Sequence, residues 1–208
     1  TKNNLIISAP TASGKTEAAF LPLLSDLIES KNEKCFLFYI SPLKALINDQ
    51  TERLKSISES MYIDIIPWHG DIPSGIKNKA FKSSKCVLLI TPESIEAMLI
   101  NNPQKVRKIF KNTKAIVIDE YHSFIGNDRG EQLFSLIYRL EKFSDHIPRK
   151  IGLSATIGDF KKVSKVLESD IYGFPKNIDS SLGSNYSIKI SLKGYEYENN
   201  KLKLEEIL

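Results

Sequence analysis

Short apolar runs recur along the chain, most of them followed by a polar turn and a segment with helical spacing. They lie at 5–8 (LIIS), 35–40 (CFLFYI), 62–66 (YIDII), 86–90 (CVLLI), 115–118 (AIVI) and 151–153 (IGL). They are nearly continuous rather than alternating, as in parallel strands covered on both faces. Helical patterns fall at 17–29, 43–58, 95–101, 103–110, 130–143 and 160–167. Strand and helix in alternation predict an α/β fold of three layers, with a mostly parallel central sheet between helices. A chain of 208 residues can bury one good core, with a tail to spare.

Past 167 the text changes. Residues 172–186 are rich in Gly, Pro, Asn, Asp and Ser and read as a loop. SIKISLKGYEYE (187–198) alternates like a strand with one wet face, and KLKLEEIL (201–208) suits either a strand end or the first turn of a helix. A border near Gly183 divides the chain into a domain at 1–182 and a linker with the start of a further domain at 183–208. There is no internal repeat and no low-complexity tract.

The net charge of +4, from 29 basic and 25 acidic side chains, permits nucleic-acid binding without requiring it. Cys35 and Cys86 each open an apolar run, so both read as buried free thiols in a reducing compartment. No apolar run approaches the roughly 20 residues of a membrane helix, and the start TKNNLIISAP lacks the layout of a signal peptide. The expectation is a cytoplasmic protein with no membrane partner. Thr1 stands only a few residues before a motif that normally lies inside a domain, so the chain reads as a fragment.

That motif is APTASGKT, Ala9 to Thr16, set between the first apolar run and the first helical pattern. A small-residue loop in this setting can turn successive backbone N–H groups toward a polyphosphate, and the helix it opens adds the partial positive charge of its N-terminus. The candidate nucleotide contacts are Thr11, Ala12, Ser13, Gly14, Lys15, Thr16 and Glu17. Lys15 would reach the outer phosphates and Thr16 would hold Mg²⁺. Ala9 occupies the place of the first glycine in G-x-x-x-x-G-K-[ST], so an ordinary helix start with a chance Gly-Lys-Thr is the alternative.

A second candidate ends the fifth run, AIVIDEYH. Ligands gather at the carboxyl ends of strands in open α/β sheets, so Asp119 and Glu120 would face the same crevice as the loop. Asp119 would hold Mg²⁺ through its water shell, and Glu120 would orient and deprotonate an attacking water. A strand end capped by solvated acids is the plainer alternative. Ser154 and Thr156, in SAT after the last run, can bond a neighbouring carboxylate or His122 and so report the state of a nucleotide. By itself such a triplet is an ordinary turn.

Taken in order, these segments resemble the superfamily 2 helicases of the DExH type. APTASGKT is similar to motif I, SPLKALINDQ (41–50) to motif Ia, TPESIEAML (91–99) to motif Ib, DEYH (119–122) to motif II and SAT to motif III. WHGD (68–71) and NDRGEQL (127–133) look closest to the large helicase-related (Lhr) branch. The resemblance implies a RecA-like P-loop fold, the first of two such domains, with the SAT strand between the loop strand and the DEYH strand. It implies ATP and Mg²⁺ as cofactors and one strand of DNA or RNA as partner, alongside a second RecA-like domain. Pro42, Leu43, Lys44, His69, Gly70, Asp71, Thr91 and Pro92 match positions that family members place around the sugar-phosphate backbone. Contacts of that kind carry no base-sequence information.

The arginines of motifs IV to VI do not occur in this chain, and Ala12 replaces a glycine common in motif I. The expectation is therefore an ATP-hydrolysing motor domain that, isolated, turns over slowly. Two other readings share parts of the pattern. Another P-loop enzyme would need the loop and the acids but not SPLKALINDQ, TPES and SAT in that order. An inactive helicase-fold scaffold would not need Lys15, Thr16, Asp119 and Glu120 together. The basic runs at 77–85 and 105–114 read as solvated faces, and Trp68 and Tyr121 as packing.

Overall fold

The computed structural model describes residues 3–10, 13–31, 34–58, 61–144, 147–155, 163–164, 167–168, 175–179, 194–198 and 201–205. The expected runs form β1 (Leu5–Ser8), β2 (Cys35–Ile40), β3 (Asp64–Trp68), β4 (Lys85–Ile90), β5 (Thr113–Ile118) and β6 (Arg149–Ser154). With β7 (Lys176–Asp179) they make a 7-stranded sheet in the order β3-β4-β2-β5-β6-β1-β7. Every pairing in it is parallel.

The helices are α1 (Lys15–Glu29), α2 (Lys44–Ser58), α3 (Ser74–Ala80), α4 (Pro92–Asn101), α5 (Pro103–Phe110) and α6 (Asp128–Glu141), with a 3₁₀ helix at Tyr121–Phe124. Two apolar cores flank the sheet. On one face α1 (Phe20, Leu23, Leu24, Leu27) and α2 (Ile47, Leu54) cover Leu37, Tyr39, Val117 and Leu153. On the other, α4, α5 and α6 cover Phe36, Phe38, Leu88 and Ile116. Adjacent residues of β2 thus point into different cores, which is why CFLFYI is apolar throughout and buried at every position. Each fully buried side chain of this size contributes about 1.5–3 kcal/mol by leaving water.

The structure corrects several expectations. Tyr62 precedes β3 rather than opening it: its φ is 54° and it is 95% exposed, while the strand runs on to Trp68. The stretch 172–186 contains β7, whose backbone pairs with β1 although all four side chains are exposed. A strand held by main-chain bonds at a wet edge has no apolar pattern to betray it. α3 went unpredicted because only Ala80 of its 7 residues is buried. Residues 194–198 and 201–205 form an antiparallel hairpin, β8 (Gly194–Glu198) and β9 (Lys201–Glu205), so KLKLE is strand rather than helix. Most of the helical pattern at 160–167 lies outside the described residues, where 163, 164 and 167 are helical. Cys35 and Cys86 are buried free thiols. Among the described residues, no helix is long and apolar enough to cross a membrane.

Candidate nucleotide and nucleic-acid sites

In a parallel sheet all carboxyl ends share one edge, and here the strand order splits that edge into two halves. Loops after β1, β6 and β5 lie on one side, and loops after β2, β4 and β3 on the other.

On the first half, Ala9 N–H donates to the Ser154 carbonyl at 3.2 Å, tying the start of the candidate phosphate loop to the end of β6. Ser13 N–H closes a turn onto the Pro10 carbonyl at 3.3 Å. Gly14 then takes φ 84°, a left-handed conformation that a side chain resists, and α1 begins at Lys15 with no side-chain cap. Ala18 N–H bonds the Gly14 carbonyl, so the amides of the first helical turn keep no partner within the helix. The Lys15 ammonium lies over the loop and donates to the Ala9 and Pro10 carbonyls at 2.6 and 2.8 Å. Thr16 follows, half-buried, and Glu17 pairs with Arg53 of α2. Thr11 and Ala12 lie outside the described residues.

Two strands away, β5 is followed directly by Asp119, which is 8% exposed. Its backbone N–H donates to the Ile40 carbonyl at 2.8 Å, and its carboxylate accepts from the Tyr39 hydroxyl. Burial, and then the neighbouring Asp119 charge, push the Tyr39 hydroxyl well above its usual range, so it stays a donor. Glu120 stands at φ 46° and ψ 44°, rare for a residue with a side chain. That kink turns the chain into the 3₁₀ helix, where His122 Nδ1 lies 3.0 Å from Ser154 Oγ and 3.4 Å from Glu120 Oε2. The start of the loop, Glu120, His122 and Ser154 are thus joined through the end of β6. β6 pairs with both β1 and β5, so the loop strand and the acid strand stand roughly 10 Å apart at the usual interstrand spacing. Thr156 lies outside the described residues.

On the second half, Lys44 at the start of α2 bonds both Asp71 carboxylate oxygens, at 3.1 and 3.0 Å. That bond, with the Lys44 charge, holds Asp71 below its ordinary carboxylate range. Leu43, Lys44, Gly70 and Asp71 are exposed, whereas Pro42, His69, Thr91 and Pro92 are buried. The His69 ring bonds Asn48 Oδ1 through Nε2 at 3.0 Å, and Nδ1 stands 3.7 Å from Asp71. Burial lowers the His69 pKa, partly opposed by the Asp71 charge. Thr91 caps α4: its hydroxyl accepts from Ser94 N–H at 3.3 Å, with Pro92 in the first turn. Exposed and buried members together line three neighbouring loops.

Trp68 and Tyr121 pack inside. Trp68 meets Phe81 edge-on, and Tyr121 donates to the Val163 carbonyl at 2.8 Å while its ring lies against Gly152. Sequence reasoning passed over Tyr39, Asn48, Arg53 and Arg129. A tyrosine at the carboxyl end of a buried strand needs a hydroxyl partner, and that was the one available signal.

A parallel sheet with a phosphate loop on β1, an acidic end on β5 and β6 between them defines a RecA-like P-loop domain. The family model for the DEAD/DEAH box helicase matches residues 1–165. The chain belongs to that family. ATP-dependent helicase Lhr-Core protein 2 of Thermococcus barophilus is 33% identical over 222 aligned positions, covering 99% of this chain and 24% of its own. ATP-dependent helicase Lhr-Core of Methanocaldococcus jannaschii is 34% identical over 181, covering 79% of this chain and 21% of its own. The structure of Mycobacterium smegmatis helicase Lhr bound to ssDNA and AMP-PNP matches with TM-score 0.70 at 28% identity, over 85% of this chain and 24% of that one. The chain thus spans under a quarter of the length of these relatives.

Proposed function

We propose that this chain is the first motor domain of an ATP-dependent helicase or translocase acting on a strand of DNA or RNA. The observation that carries it is the adjacency of β1, β6 and β5, which sets Lys15, Thr16, Asp119, Glu120, His122 and Ser154 on one edge. The uncapped first turn of α1 and the Lys15 ammonium suit an anion. Among the described residues no cage of three or more His, Cys, Asp and Glu groups exists. One hydroxyl (Thr16) and one buried carboxylate (Asp119) fit Mg²⁺, which keeps waters and takes further oxygens from phosphate. When bound, Mg²⁺ would neutralise charge on the transferring phosphoryl group.

Within that setting, Lys15 exchanges the Ala9 and Pro10 carbonyls for phosphate oxygens. Glu120 accepts the proton of the attacking water, and its carboxylate stands 3.4 Å from His122 Nδ1. His122 and Ser154 share a hydrogen bond that links the acid pair to β6, and with Thr156 they would sense the nucleotide. Lys44, Leu43, Gly70 and Asp71 present the exposed surface for a sugar-phosphate backbone. Pro42, His69, Thr91 and Pro92 hold those loops in shape. A second RecA-like domain, beginning in 183–208, would supply the missing arginines.

The test is strand-stimulated ATP hydrolysis by the full-length protein, with matched DNA and RNA strands. Lys15→Ala should lower the rate at least about a hundredfold, as expected when charge stabilisation at the phosphates is lost. Unchanged turnover would place the chemistry elsewhere.

A further inference from the structure

Arg129, the second residue of α6, joins three segments that belong to both candidate sites. Its Nη2 donates to the Pro42 carbonyl at 2.6 Å, in the loop after β2. Its Nε donates to Glu93 at 2.8 Å, in the first turn of α4 beside the Thr91 cap. The guanidinium also lies 5.8 Å from the centre of the Phe124 ring, at the end of the 3₁₀ helix that Glu120 opens. One turn further along α6, Gln132 donates to Glu96 of α4 at 2.6 Å, a second rung at the same spacing.

The base of this strut has no slack. A Cβ on Gly130 would stand 1.7 Å from the Phe124 carbonyl oxygen, so α6 touches the 3₁₀ backbone directly. Asn127 caps α6 by accepting from Gly130 N–H at 2.9 Å, and its amide donates to the Ser123 carbonyl at 2.8 Å. The helix start is thus bonded to the 3₁₀ helix on one side, and through one side chain to two loops on the other. An exposed ion pair such as Arg129 with Glu93 adds little to stability. A rigid fork that engages two acceptors at once is worth having for geometry, and lysine cannot reproduce it.

We propose that Arg129 is a positioning residue that couples the nucleotide half of the sheet edge to the strand-binding half. A displacement of the 3₁₀ helix at Glu120 and His122 moves the first turn of α6, and the guanidinium carries that movement to the Pro42 loop and the N-terminus of α4. The inference rests on the motor reading above and adds to it a specific route.

The experiment measures strand affinity of the full-length protein with and without AMP-PNP, and takes the ratio. Couplings of this kind are about 5- to 150-fold. Arg129→Ala should bring the ratio close to one, with nucleotide affinity in the absence of strand changed less than about twofold; Arg129→Lys should fall between, since one acceptor is lost. A wild-type ratio in either variant overturns the proposal. So does an equal loss of strand affinity with and without nucleotide, which would make Arg129 a direct phosphate contact. If the unaltered protein itself shows a ratio of one, the motor reading fails and takes the strut with it.

Discussion

Tyr39 is the polar side chain in an otherwise apolar β2, and its hydroxyl serves the buried Asp119 carboxylate. Removing the hydroxyl leaves a carboxylate with little water to replace it, and partners that orient a metal-binding acid typically govern affinity or activity by about 10- to 100-fold. If Asp119 holds Mg²⁺ as proposed, Tyr39→Phe should raise the Mg²⁺ concentration needed for half-maximal ATP hydrolysis by about tenfold. The phenyl ring keeps its packing against Phe20, but the buried carboxylate loses its donor at a cost of about 1–3 kcal/mol, so the unfolding midpoint should also fall by several degrees. A magnesium titration with parallel thermal melts checks both halves of that expectation. Asp119 and Glu120 were legible because acids directly after four apolar residues mark a strand end. Tyr39 was not, since in CFLFYI a tyrosine looks like core and its partner lies 80 residues away. The left-handed Glu120 was equally hidden. Such a conformation costs roughly 1–2 kcal/mol, and only the surrounding bonds, among them Ser123 N–H to the Glu120 carbonyl at 2.7 Å, hold it.

Among the elements, α6 shows how a helix with ordinary amphipathic spacing acquires a special end. Leu133, Leu136, Ile137 and Leu140 face the core, as the periodicity predicted. Gly130 opens the helical pattern read from the sequence and stands in the first turn of α6. In the structure its missing side chain is what lets α6 seat on the Phe124 carbonyl. Gly130→Ala would gain helix propensity of about 1 kcal/mol on a free surface. Here the clash with backbone must push the helix start outward, and overpacking of this kind costs about 1–3 kcal/mol or more. The expected outcome is net destabilisation, read as a melting midpoint lower by several degrees at about 2–4 °C per kcal/mol. A midpoint equal to or above that of the unaltered protein would mean that the helix end yields without cost. β7 and α3 show the converse: both are mainly exposed, so burial wrote no pattern into their residues.

For the whole molecule, strand order is the decisive fact. Placing β2 beside β5, with β6 and β1 beyond, splits the carboxyl edge of the sheet into two halves, the proposed nucleotide half and the proposed strand half. On the proposed motor reading, this domain serves the charge on the transferring phosphoryl group from one side only. An arginine supplied from outside is worth about 10³–10⁵ in rate in related phosphoryl transfers. Residues 1–208 alone should therefore hydrolyse ATP at least about a thousandfold more slowly than a longer protein that also carries a second RecA-like domain, measured as phosphate release with saturating strand. A comparable rate would show the domain complete by itself. The residues alone determined which segments are buried on both sides and where β1, β2, β4 and β5 end, because burial and turn-making are written locally. Only the tertiary structure decided which strands are neighbours, that Tyr39 meets Asp119, and that Arg129 spans two loops. Main-chain bonds between parallel strands are the same for any pair, so the partners are chosen by how two helical layers close over the sheet, and that choice is made by the chain as a whole.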